Sequence, residues 1–482
     1  MPPLFDYLPH ITTVTFVLDV VVLVVVIPWV LMTKRNSTAA VAWCLVVLLM
    51  PLLGALLFWV FGYTHVSRPL RRVQRQRSAF RARHPPRKQE AARGEEEGIP
   101  TWCNLGEIAC KVRAFPVSPG NAVTLYHDTA RAFDALLAAV AAARHHVHLE
   151  FYILRNDATA ARLIDLLAEK ARAGVEVRFL YDAMGSVNLR GRTLRPLLEA
   201  GGKATAFLPL NPLRSRIQVN LRNHRKIVVI DGHVAFTGGM NVGDEYLGRC
   251  PAVGYWRDSF LKLEGPAVAG LQRVFAEDWD FACREALNGD DYFPEPPEAG
   301  DAVVQVVESG PDQEVKTIRE VYFAAILSAR ERLWVASPYV VPDSGLLDAL
   351  RLARYRGVDV RLLTVLRPDH YLAWYAARYY YPALLDAGVE IHRYKRGMMH
   401  AKVMIADGQW AMVGSANLDN RSLHLSFEAG CVLHTPALVA ELEEQFRQDV
   451  LDSVRLDADT FAARSFGSRL SENACRLLSP LL

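Results

Sequence analysis

One stretch of nine residues occurs twice in this chain, and it restricts the possible folds more than any other feature. Asn223-His224-Arg225-Lys226-Ile227-Val228-Val229-Ile230-Asp231 returns as Met399-His400-Ala401-Lys402-Val403-Met404-Ile405-Ala406-Asp407. In each copy a His is followed two residues on by a Lys, then by four apolar residues and an Asp, so His and Lys share one face of a strand whose continuation is buried. Downstream, Thr237-Gly238-Gly239-Met240-Asn241 and Val413-Gly414-Ser415-Ala416-Asn417 place an Asn 17 residues after each His. Two imperfect copies of one half imply a single site where the halves meet.

The residues ahead of each copy repeat too. Helical periodicity over 130–144, a strand over 148–154, a helix over 158–172 closed by Gly174 and a buried strand over 175–181 make up the first series. The second has a helix over 315–329, a strand over 333–338, a helix over 345–356, then Gly357 and a strand over 358–365. Strand, helix, strand predicts a right-handed parallel crossover. The expected fold class is α/β, with two homologous α/β domains at 121–290 and 301–482 forming one site at their interface. A Pro-rich linker at 291–300, carrying Phe293-Pro294-Glu295-Pro296-Pro297, joins them. A length of 482 residues suits two such domains with extra segments.

Those extra segments lie at the amino-terminal end. Hydrophobic residues make up 51% of the chain and the mean hydropathy is slightly positive, which points to membrane segments. Ile11 to Met32 is apolar apart from threonines and Asp19, and Ala39 to Phe61 has no charge. Each predicts a membrane-spanning helix, together a hairpin within 1–66, with Asp19 turned toward the second helix or a polar defect. Residues 1–10 contain no Lys or Arg, unlike the start of a cleaved signal peptide. A basic arm follows within 67–120: Arg68, Arg71, Arg72, Arg75, Arg77, Arg81, Arg83, Arg87 and Lys88. It outweighs Lys34 and Arg35 of the hairpin turn, placing both chain ends in the cytoplasm. The arm reads either as an attractor of anionic headgroups or as a solvated linker that only sets topology. The seven cysteines are scattered without a CxxC; they signal neither a disulfide framework nor a zinc site and read as mostly buried thiols.

Two imidazoles and two ammoniums suit a phosphoryl substrate. One neutral His can attack phosphorus while the other, protonated, gives a proton to the leaving oxygen. Lys226, Lys402, Asn241 and Asn417, with Ser415 beside the last, are placed to hold the phosphate oxygens. No metal or cofactor is called for, because the lysines supply the positive charge. Each His needs a partner that sets its tautomer. Glu428, 28 residues beyond His400, is the expected partner of that His; Ala252 stands at the same offset in the first half, and with a short insertion after Asn241 Asp258 in Tyr255-Trp256-Arg257-Asp258 takes that place. Asp231 and Asp407 complete the candidate set and are expected to cap the turns into Gly232 and Gly408. His233, His370, His392, His424 and His434 read as ordinary core or surface histidines.

The paired His-x-Lys-xxxx-Asp stretches resemble the HKD motifs of the phospholipase D superfamily. The amino-terminal hairpin, Phe151-Tyr152-Ile153, Arg222-Asn223-His224-Arg225-Lys226, Gly239-Met240-Asn241 and Gly414-Ser415-Ala416-Asn417-Leu418-Asp419-Asn420-Arg421-Ser422 narrow the resemblance to bacterial cardiolipin synthases, over essentially the whole chain. The family implies phosphatidyl transfer between two phosphatidylglycerol molecules through a phosphatidyl-histidine, with His224 as nucleophile and His400 as general acid. With the hairpin and the positive-inside bias, a multi-pass protein of the bacterial inner membrane with catalytic domains on the cytoplasmic face is expected; phosphatidylglycerol and anionic lipids are the expected partners, and the clustering of basic residues beside the membrane spans argues against nucleic acid. Ala401 and Gly239 depart from the other half at variable positions. Arg214, Arg216 and Arg222, with the aromatic run from Tyr371 to Tyr381, could line a surface dipping into the lipid interface; a core helix is the other reading of that run. Residue types alone leave open whether water, a lipid glycerol or another headgroup alcohol resolves the intermediate. A membrane-bound phospholipase D and a silent lipid-binding scaffold are the competing functions.

Overall fold

An apolar run in a helix satisfies its own backbone polar groups, and in the computed structural model the amino-terminal residues form helices Leu8–Thr33, Ser37–Leu49 and Pro51–Leu57. The structure describes residues 8–34, 37–59, 74, 75, 77, 78, 81, 101–209, 221–287, 289–295 and 297–479. They fall into two compact units, Met1–Arg72 and Val73–Leu482.

In the first unit, Thr15–Thr33 is the one described helix long and apolar enough to cross a membrane. The single second span expected over 39–61 is instead divided between Met50 and Pro51. Proline has no N–H to donate and disfavours the helical conformation in the residue before it; Met50 accordingly leaves the helix at φ −141° and Pro51 starts a new one. Val26, Val30, Val47 and Phe58 are buried between the helices. Trp29 and Trp43 meet the Phe58 ring edge-on at 5.4 and 5.5 Å. Phe16, Val24, Val25 and Leu49 face outward.

The second unit is built on two mixed sheets. The first half supplies β1 (Ser118–Asp128), β2 (His146–Phe151), β3 (Glu176–Asp182), β4 (Lys203–Phe207), β5 (Arg222–Asn223), β6 (Ile227–Ile230), β7 (Val234–Gly238) and β8 (Tyr255–Glu264). The second half supplies β9 (Ala302–Ser309), β10 (Arg332–Ala336), β11 (Val340–Val341), β12 (Asp359–Val365), β13 (Glu390–Tyr394), β14 (Gly397–Met399), β15 (Val403–Ala406), β16 (Trp410–Gly414), β17 (Leu418–Asp419), β18 (Ser426–Leu433) and β19 (Ser453–Arg455). The first sheet runs β4-β3-β2-β6-β7-β8-β1 and the second β13-β12-β10-β15-β16-β18-β9. Strand senses match position by position, with the first three of each parallel and the rest antiparallel. Both expected parallel crossovers are present, β2 to β3 and β10 to β12.

The crossover helices show why the sequence repeats. Asp157 caps Ala158–Arg172 by accepting from Ala160 N at 3.0 Å, and Gly174 follows it at φ 91°. Asp343 caps Ser344–Tyr355 through Leu346 N at 3.0 Å, and Gly357 follows at φ 92°. Each glycine supplies the left-handed turn that a side chain would oppose. The halves are not separate bodies: Trp256 and Leu261 belong to the same apolar cluster as Met399 and Val413.

Several segments differ from expectation. Arg75 is exposed, but Arg77 is buried against Asp278, Glu308 and Asp312, and Arg81 pairs with Glu277 and Glu308. These two guanidiniums are engaged inside the protein rather than by headgroups, because buried carboxylates need paired charge; the remainder of the arm lies outside the described residues. Arg222 is buried, 3.8 Å from Asp182, so it lines no lipid surface; Arg214 and Arg216 lie outside the described residues. The aromatic run begins helix Tyr371–Asp386, where Tyr371 and Leu372 are exposed while Ala376, Ala377, Tyr381 and Leu384 are core. Of the described cysteines only Cys431 is buried, and Cys110 and Cys283 are exposed, so the thiols are not mostly interior.

Candidate active site

Both motif histidines sit at the end of a short strand that pairs with the opposite half. β5, which ends at Asn223, runs parallel to the start of β18, with Arg222 facing Ser426 and Asn223 facing Phe427. β14, which ends at Met399, runs parallel to the start of β8, Met399 facing Arg257. The pairing continues into the motifs: His224 N donates to Phe427 O at 2.9 Å and His400 N to Arg257 O at 2.7 Å. The next residues along β18 and β8 are Glu428 and Asp258. His224 Nδ1 donates to Glu428 Oε2 at 3.1 Å, and His400 Nδ1 to Asp258 Oδ2 at 2.6 Å. The partners are therefore crossed relative to expectation. Glu428 serves His224 and Asp258 serves His400, because the strands preceding each His hydrogen-bond to the other half's acid-bearing strand. With Nδ1–H held by a carboxylate, each imidazole keeps Nε2 for chemistry.

The two pairs are unlike in detail. Ser415 Oγ donates to Glu428 and accepts from Ala429 N at 3.0 Å, so the glutamate is shared. Gly239 occupies the matching position in the first half, and a Cβ there would clash with Asp258 Oδ1 at 2.0 Å. Asp258 instead accepts from Ser259 N at 2.8 Å and from the Trp256 indole at 3.4 Å. Aromatic rings back both imidazoles, Tyr152 at 4.8 Å from His224 and Trp256 at 4.9 Å from His400.

Lys226 Nζ donates to His224 O at 2.6 Å, and Lys402 Nζ to His400 O. Burial pushes the Lys226 amine down to about 7 and the Lys402 amine to about 8, against the pull of Glu428 and Asp258. Burial also lowers His224 to about 4, with Glu428 opposing, and lowers His400, helped by Lys402 and opposed by Asp258. Lys226 and Lys402 each depress the other half's histidine, and Lys402 depresses Lys226, so both motifs act in one electrostatic field.

The asparagines divide their roles. Asn241 Oδ1 accepts from Ile153 N at 3.1 Å. Asn417 Nδ2 donates to Asp419 Oδ2 at 3.1 Å, while its Oδ1 is buried without a partner among the described residues. Asp231 and Asp407 are not brought to the site. Each takes three backbone N–H groups, of Arg144, His145 and His146 in the first case and of Arg330, Glu331 and Arg332 in the second. They pin the entries to β2 and β10 rather than only capping their own turns, and the four residues of β6 or β15, about 13 Å of strand, separate each from its Lys. The residue types alone gave no sign of Asp182, which accepts from Asn223 N at 2.9 Å, or of the buried acids Asp278 and Glu308 that hold Arg225. An arginine between the motif's His and Lys, just ahead of the apolar strand, was the one available signal, since a buried guanidinium requires acids around it.

Two equivalent sheets that exchange strands to build one pair of His–carboxylate dyads, each beside a buried Lys, define a protein of the phospholipase D type. A family profile described as "Cardiolipin synthase, PLD-like domain" matches residues 136–279 and 322–450, and one described as "Phospholipase D-nuclease N-terminal" matches 17–62. A cardiolipin synthase of Geobacillus kaustophilus is 40% identical over 455 residues, covering 93% of this chain and 90% of the relative. Cardiolipin synthase 2 of Bacillus cereus is 43% identical over 352 residues, 73% of this chain and 68% of the relative. The phosphatidylserine synthase of Haemophilus influenzae shares the fold, with a TM-score of 0.58 at 14% identity over 79% of this chain and all of that one. The chain belongs to the cardiolipin synthase family.

Proposed function

We propose that this enzyme makes cardiolipin, transferring a phosphatidyl group from one phosphatidylglycerol to a second with release of glycerol. The observation that carries the chemistry is the crossed pair of dyads: two imidazoles, each oriented by a carboxylate and flanked by a buried amine, in a relative of curated cardiolipin synthases. His224 Nε2, kept neutral by burial, attacks phosphorus while His400 Nε2–H protonates the departing glycerol oxygen, giving a phosphatidyl-histidine and free glycerol. His400 then takes the proton from a hydroxyl of the second phosphatidylglycerol, whose oxygen displaces His224 from phosphorus. Cardiolipin leaves with both phosphates, and both histidines return to their starting states. The approaching phosphodiester raises the pKa of His400 and the two lysines by its own charge, so the proton donor is completed by substrate. Lys226, Lys402 and the Asn241 amide hold the non-bridging oxygens as charge moves onto them.

The same reading treats 1–66 as a membrane hairpin and 67–120 as a juxtamembrane arm whose remaining arginines face anionic lipid. It takes 121–290 and 301–482 as homologous domains joined at 291–300, with the catalytic unit on the cytoplasmic side of the bacterial inner membrane. Support comes from the outward apolar surface of the first unit, the matched sheets and the excess of basic residues after the second apolar stretch. Expression in a cardiolipin-deficient bacterial membrane, beside His224→Ala and His400→Ala, tests the whole. Cardiolipin and glycerol should accumulate with the intact protein and with neither variant; phosphatidic acid in their place would make water the acceptor.

A further inference from the structure

Among the described residues 74, 75, 77, 78 and 81 of the arm that follows the apolar helices, Arg77 is the buried one. Arg77 is 4% exposed. Its guanidinium donates to Asp278 Oδ1, to Glu308 Oε2 at 3.4 Å and to Asp312 Oδ2 at 3.4 Å. Asp278 and Glu308 are also the two carboxylates that receive Arg225, the motif residue between His224 and Lys226. Both guanidiniums lie against the Phe427 ring, Arg77 at 5.2 Å and Arg225 at 5.6 Å. Phe427 O accepts from His224 N, and Arg225 Nε donates to Glu428 O at 3.2 Å. Two arginines, two shared acids and one phenyl ring thus stand directly beneath the His224–Glu428 dyad.

We propose that Arg77 is a positioning residue of the active site, bridging Asp278 and Glu308 against Phe427 so that Arg225, and through it the His224–Glu428 pair, is held in register. The inference rests on the reading of His224 as a reacting imidazole. Without Arg77, Arg225 is the one remaining cation among the described residues that touches both Asp278 and Glu308, and the two acids repel across the space the guanidinium filled. Arg225 then has reason to shift toward whichever acid it keeps, carrying Glu428 O and the motif backbone with it. A planar fork satisfies two carboxylates at fixed separation where a single ammonium cannot. Arg81 supplies the contrast: it donates to Glu277 and Glu308 in the same cluster yet reaches neither Asp278 nor the phenyl ring in any described contact.

The experiment compares full-length Arg77→Gln, Arg77→Lys, Arg81→Gln and His224→Ala, assayed for cardiolipin on phosphatidylglycerol vesicles, with thermal melts alongside. Arg77→Lys is expected to lower kcat ~10- to 100-fold at nearly unchanged KM, as misplacement of a reacting group does. Arg81→Gln should lower the melting temperature while keeping kcat near the parent's. Should Arg77→Gln fail to fold, Arg77→Lys decides alone. Wild-type kcat in Arg77→Lys, or an equal kcat loss in Arg81→Gln, overturns the proposal. An active His224→Ala would overturn the underlying site reading instead, so the two failures are distinguishable.

Discussion

Lys226 is held in a state that is costly for an ammonium. Its amine is buried, near a second buried lysine, and its pKa falls from 10.5 to about 7. Because the native pKa is lowered, the unfolded chain binds more protons than the native one between about pH 7 and 10.5, and stability rises with pH across that window. Below about pH 7 both states carry the proton and the native state bears the full burial cost. Lys226→Met should therefore melt higher than the parent protein at pH 6, with the gap closing as pH climbs from 7 toward 10. The same substitution removes a donor to the phosphate oxygens and should lower kcat by ~10²-fold or more. Parent activity should fall on the alkaline side as Lys226, and then Lys402 at about 8, lose protons. A Lys226→Met protein that melts lower at pH 6, or retains turnover, would show that the amine is structural support and not a strained functional group.

At the scale of elements, the strongest sequence signals were local. The helices expected over 158–172 and 345–356 and their partner strands follow from apolar spacing and a closing Gly, and all of these appear in the structure within a few residues. The crossing of the dyads could not be read that way. His224 and Glu428 are 204 residues apart, His400 and Asp258 142 apart, and they meet through strands of two or three residues, β5 and β14, too short for any periodicity to register. Position within a half, with a short insertion allowed after Asn241, pointed each acid to its own histidine, whereas pairing between halves gave it to the other. The duplicated Asp, expected as a structural cap, has a structural place of wider reach. Its spacing ties it to the motif, yet the intervening strand carries it away to the start of β2 or β10. Asp231→Asn keeps one acceptor oxygen and loses the charge that holds three N–H groups, which should cost about 1–3 kcal/mol of stability. A lower melting temperature with turnover reduced far less than in His224→Ala is expected; abolished turnover at an unchanged melting temperature would return Asp231 to the reacting groups.

For the whole molecule, neither half contains a finished dyad. Each supplies an imidazole and an amine, borrows its carboxylate, and closes its histidine's backbone hydrogen bond on the other half. The two copies differ at single positions where their carboxylates differ: Gly239 leaves room for Asp258, whereas Ser415 at the matching place in the other half donates to Glu428. The shared apolar cluster and the three inter-half strand pairings should hold the halves together without the covalent link once the unit is folded. A protease site placed beside the exposed Glu295 and Pro297 tests this in the intact, purified chain. After cleavage the two fragments should co-elute in non-denaturing detergent and keep most of the parent turnover. Urea that separates them should abolish activity in both fractions, and remixing on dilution should restore it. Activity surviving in one isolated fragment would mean that a single half builds its own dyad, and the crossed arrangement could not then be the working site.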